Sequence, residues 1–103
     1  MRLPVIAAAA VLAGAACAQD LPGDPAAGRV FALQTCSACH LVADDQPDDR
    51  IAEAPDFREI AERPGLTAQA LFAFLQAPHP TMPSLVLAPE EADDVIAYIL
   101  SLR

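Results

Sequence analysis

Read from its amino terminus, the chain opens on an almost unbroken apolar run from Leu3 to Ala16, with Arg2 before it and Gln19 and Asp20 after it. A basic start, an apolar stretch too short to span a bilayer comfortably and an Ala16-x-Ala18 pattern have the layout of a secretory signal peptide. The reading is a leader over residues 1–18, released after Ala18, and one domain over 19–103. Two alternatives are an uncleaved anchor and a lipoprotein acylated at Cys17. The second calls for a Leu-like residue three positions earlier, where this chain has Gly14.

Beyond the leader the apolar residues recur at helical spacing in short blocks. Asp24 as N-cap with Pro25 at the first helical position starts a helix that runs into Cys36-Ser37-Ala38-Cys39-His40. Ala43 to Ala54 holds Asp44, Asp45, Asp48, Asp49 and Glu53 with few apolar residues, and reads as an exposed loop. Asp56 with Glu59 is expected to cap a short helix from Phe57 to Glu62, ended by Pro64-Gly65. Thr67 caps a helix through about Gln76, with Leu71, Phe72, Phe74 and Leu75 crowding its buried side.

Pro78-His79-Pro80-Thr81-Met82-Pro83 is neither a regular helix nor a central strand, because each proline lacks a donor and pushes its predecessor toward extended geometry. A last helix opens at Pro89 with Glu90 and Glu91 in its first turn. Its apolar stripe is Val95, Ile96, Ile99, Leu100 and Leu102, and Arg103 suits its carboxyl end. The pattern shows no strand and no repeat. The expected fold class is all-α, with about four short helices.

Composition sharpens this picture. Loss of the leader removes Arg2 and Cys17, leaving 85 residues, five Arg against fourteen acids, a net charge of −9 and one cysteine pair. An acidic body repels phosphates, which argues against nucleic acid as a partner. A domain of this size buries only about two thirds of the surface its unfolded chain exposes, and such domains commonly recruit a staple or cofactor. With no Trp and five aromatic side chains, apolar mass is short, and a bound group would supply it.

Cys36-x-x-Cys39-His40 is the attachment signature of c-type haem. Residues three apart on a helical turn share a side, so two thiols can add to the vinyl groups of one haem edge, with the following His as proximal iron ligand. Three other chemistries compete for the motif. A thioredoxin-like pair would follow a strand, and none is predicted. A zinc site would draw on Cys36, Cys39, His40 and His79, with adjacent residues converging on one tetrahedron. A structural disulfide closing so short a loop would stabilise little.

With these residues in view, the chain resembles the small monohaem class I cytochromes c from Gly23 to Leu102. Gly28 to His40 resembles the family's first helix and haem motif, and Leu87 to Leu102, with Tyr98, its terminal helix crossing the first. The resemblance implies a cytochrome c-like fold around one covalent haem c. It also implies that the Pro55 carbonyl in Ala54-Pro55-Asp56-Phe57 accepts a hydrogen bond from His40, and that Met82-Pro83 is the distal strap. General ligand logic agrees on Pro55, since a metal-bound His usually donates its other ring proton to a carbonyl or carboxylate. Two features depart from the family: Ala32 stands where an aromatic residue is common, with Phe31 one earlier, and the propionate-contacting Trp of larger members is absent.

The second axial ligand sets function, because Met gives electron transfer at raised potential while an open site gives ligand binding or peroxide chemistry. Met82 follows a proline-stiffened segment suited to presenting a weak ligand, and the alternative is His79. Gly28 and Tyr98 are expected to mark close packing of the terminal helices. The acidic loop and Glu90, Glu91, Asp93 and Asp94 would steer a basic redox partner such as an oxidase, reductase or dehydrogenase, or simply solvate the surface. The expected function is a periplasmic one-electron carrier with no enzymatic substrate, reaching membranes only through partners unless lipidated at Cys17. Two rivals are a haem sensor or peroxidase-like protein with a displaceable Met, and an electron-accepting subunit of a periplasmic dehydrogenase.

Overall fold

The computed structural model describes residues 9–10, 21–77, 79–83 and 85–103. The expected leader, with Cys17, lies outside them apart from Ala9 and Ala10, as does Pro78. Four helices follow in order, α1 (Pro25–Thr35), α2 (Phe57–Ala61), α3 (Ala68–Gln76) and α4 (Pro89–Ser101). No strand occurs among the described residues.

Helix α1 starts where its capping chemistry dictates. The Asp24 carboxylate accepts from the Ala26 N–H at 2.9 Å, and the Asp24 N–H donates to the Asp94 carboxylate at 2.7 Å, tying the helix entrance to α4. Gly28 decides how α1 and α4 pack. A Cβ there would stand 1.9 Å from the Asp94 carbonyl oxygen and 2.9 Å from the Tyr98 Cβ, so only a bare Cα permits this approach. One turn later Ala32 is fully buried in the same contact, with Phe31 half-buried beside the core. The core thus closes completely over a small residue where an aromatic is common in the family.

Helices α2 and α3 pack on α4, and the core gathers Ala32, Val42, Phe57, Leu71, Val95 and Ile99. Thr67 caps α3 as expected, its hydroxyl accepting from the Ala70 N–H at 3.0 Å. At α4 the N-cap position holds Ala88, which has no side-chain acceptor, so Glu91 supplies half of a capping box by accepting from the Ala88 N–H at 2.8 Å.

Three expectations are corrected. Asp56 makes no side-chain cap on α2, because its carboxylate turns to Arg50 at 3.4 Å, and α2 ends at Ala61 with Glu62 as C-cap. Phe72 and Phe74 are exposed, at 39% and 50%. Residues 71, 72, 74 and 75 span more than one helix face; Leu71 is buried and Leu75 half-buried, Phe74 stands with them on the wall of one cleft, and Phe72 turns to a separate hollow beside Leu21 and Ile96. Arg103 bonds not to the end of α4 but to the carbonyls of Ala61 and Leu66, fastening the chain terminus to the α2–α3 turn. The acidic loop is exposed as expected, and two backbone hydrogen bonds anchor it. Ile51 donates to Ala38 O at 2.8 Å and Ala54 to Cys39 O at 3.1 Å, so it wraps the Cys36–His40 turn.

Candidate functional site

The Cys-x-x-Cys-His segment continues α1 as a further turn. The N–H groups of Cys39 and His40 both donate to Cys36 O, at 3.2 and 3.0 Å. Cys36 and Cys39 are free thiols, each half-buried. Burial pushes the Cys36 thiol up to about 11, so its sulfur stays neutral at physiological pH instead of carrying charge into an apolar wall.

His40 is held from two directions. Its Nδ1 lies 2.6 Å from the Pro55 carbonyl oxygen. A carbonyl can only accept, so Nδ1 carries the ring proton and Nε2 keeps its lone pair for another partner. Phe57 meets the imidazole edge-on, with ring centroids 5.3 Å apart at 62°. Pro55 is placed in turn by the loop beside it, where Phe57 N–H donates to Leu41 O at 2.9 Å.

One residue without any motif completes the support. Gln46 accepts from the Val42 N–H at 2.8 Å and donates to His40 O at 3.3 Å and Ser37 O at 3.5 Å. A lone Gln in an acidic loop gives no signal in the pattern. Its role appears only when the loop folds back over the turn.

Cys36, His40 and Met82 share one cleft of about 190 Å³, walled chiefly by apolar side chains of all three other helices, among them Phe57, Leu71, Phe74 and Val95. Cys39 sits in the same turn but is not part of the wall, and neither is His79. His79 points its Nε2 at the Phe74 carbonyl oxygen, 2.7 Å away, and stacks on the Phe74 ring. The zinc set of Cys36, Cys39, His40 and His79 is therefore not assembled, and no group of three potential ligands of that kind occurs among the described residues.

Most loop acids are paired rather than free. Asp44 meets Arg58 at 2.8 Å, Asp45 meets Arg29 at 3.1 Å and Asp48 meets Arg50 at 2.7 Å. Asp49 and Glu53 form no ion pair among the described residues. Arg63 stands at the cleft wall and likewise forms no ion pair among them.

An apolar cleft, unbridged thiols beside it and an imidazole whose free nitrogen is reserved by a backbone carbonyl fit a covalently attached haem. Comparison with known proteins agrees. A family model described as Cytochrome c matches residues 25–103. The chain is 42% identical over 83 residues to cytochrome c-552 of Bradyrhizobium diazoefficiens, a match covering 81% of this chain and 79% of that protein. No solved structure matches it.

Proposed function

From the premise that the chain belongs to the cytochrome c family, and so carries electrons through a covalently bound haem c, we propose that it is a periplasmic shuttle with His40 and Met82 as axial iron ligands. When bound, the haem iron supplies a one-electron couple between its two oxidation states. The chain's own residues attach, orient and shield that group. Cys36 and Cys39 provide the thioether sulfurs. Pro55 fixes the His40 ring and, by accepting its Nδ1 proton, raises the basicity of the ligating nitrogen. Apolar walls such as Leu71 and Val95 exclude water and keep the local dielectric low, which disfavours the more charged state of the centre.

The observation that carries this reading is the 2.6 Å contact from His40 to Pro55 on the wall of a cleft that Met82 also lines. The rival sensor or peroxidase reading relied on His79 as an acid–base group over the iron. Its Nε2 faces the Phe74 carbonyl instead.

Export through the leader is read from sequence alone, and the same leader motivates the periplasmic location. Partners would be redox proteins with basic docking surfaces, attracted by the net negative charge, with electron-transfer rates that fall as salt rises. The test is an optical spectrum of protein matured in a host that attaches c haem. The expected result is covalently retained haem and, in the oxidised form, a methionine-to-iron charge-transfer band that Met82→Ala abolishes. Haem lost on acid-solvent extraction, or rapid carbon monoxide binding by the reduced protein at neutral pH, would defeat the assignment.

A further inference from the structure

Between α3 and α4, residues 79–83 make little hydrogen bonding to the rest of the fold among the described residues. Pro80 and Pro83 have no N–H to donate, and among the described residues the hydrogen bond that joins 79–83 to the rest of the molecule is made by His79. Its Nε2 lies 2.7 Å from the Phe74 carbonyl oxygen, and since that oxygen only accepts, Nε2 holds the proton and donates. The acceptor belongs to the last turn of α3; it already takes the Ala77 N–H at 3.3 Å, and the imidazole adds a second, shorter bond to the same oxygen. The imidazole also lies flat on the Phe74 ring, with centroids 3.7 Å apart and planes at 23°. Phe74 and Met82 line the same cleft.

We propose that His79 is a positioning residue that latches the strap to the end of α3 and thereby holds Met82 at the cleft wall. The inference rests on the reading of Met82 as axial ligand. Two residues, Pro80 and Thr81, separate the latch from Met82, so fixing His79 keeps the Met82 backbone within about 10 Å of it, a span that Pro80 narrows further. Without the latch the strap keeps its covalent ends and the apolar contacts of Met82, Leu85 and Leu87 at the cleft, but the ligating arrangement is a smaller share of the ensemble, and an outside ligand competes with Met82 on better terms.

The test uses the holoprotein and titrates added imidazole against the methionine-to-iron band. His79→Ala is expected to bind imidazole about tenfold more tightly and to bind carbon monoxide faster when reduced, with haem attachment unchanged. His79→Gln, which keeps a donor without the flat ring, and Phe74→Leu, which keeps the carbonyl without the stacking surface, are expected to fall between it and wild type. If His79→Ala does not accumulate, those two variants carry the test by the same readout. Imidazole affinity within twofold of wild type in all three would overturn the latch while leaving Met82 as ligand. A wild-type spectrum without the methionine band, or one in which the band survives Met82→Ala, would overturn the ligand reading first and the latch with it.

Discussion

The Asp94 carbonyl of α4 occupies the space a side chain on Gly28 of α1 would need, 1.9 Å from the ideal Cβ position. Backbone cannot retreat as a flexible side chain can. Gly28→Ala should therefore force α1 and α4 apart and cost roughly 3 kcal/mol or more, the upper part of the range for overpacking. Denaturant unfolding of the holoprotein measures it, and Ala32→Val is expected to act in the same direction because Ala32 is 0% exposed in the same contact. A midpoint unchanged by Gly28→Ala would mean the crossing is looser than described.

Tyr98 spans from α4 to the segment just after the haem motif, its hydroxyl donating to Val42 O at 2.7 Å within the core. Tyr98→Phe leaves that buried carbonyl without its partner while keeping the ring. A loss of about 1–2 kcal/mol is expected. The visible spectrum should stay as in wild type, since Tyr98 does not line the cleft.

Gln46→Ala removes the acceptor for the Val42 N–H and the donor to His40 O together. The expected cost is again about 1–2 kcal/mol. Amide hydrogen exchange should locate it, with faster exchange at Val42 and little change in α4. Uniform acceleration through α4 would show that Gln46 acts globally.

Hydrogen bonding from Arg58, reinforced by its charge, holds the Asp44 carboxyl below its ordinary value of 3.8. A carboxyl depressed in the folded state stabilises the fold above its unfolded value and stops doing so as pH falls through its folded one. Asp44→Asn, which leaves the Arg58 bond to Leu102 O in place, should lower stability slightly at neutral pH. The gap from wild type should close in acid below the ordinary carboxylate range. Parallel stability curves at all pH values would contradict the pairing.

Much of this molecule is written locally, and those parts are legible in the chain. Pro25 and Pro89 at helix starts, Thr67 as a cap and the Cys36-x-x-Cys39-His40 spacing act over one or two turns, so neighbouring residues suffice to read them. The terminal-helix contact was legible too, through Gly28 and Tyr98. Other relationships join residues that share no local pattern. Asp56 could cap α2 or meet Arg50, and only the path of the acidic loop brings Arg50 close enough to decide it. Phe74 looks like core from its apolar neighbours, yet it stands half-exposed at the cleft with the His79 imidazole stacked on its ring. Sequence by itself determined the helices, the haem motif and the candidate ligands, because those depend on covalent spacing. Tertiary structure alone decided that Gln46 braces the motif, that Ala32 is fully buried and that the His79 imidazole is engaged by the Phe74 carbonyl, because each depends on which surface the folded chain meets.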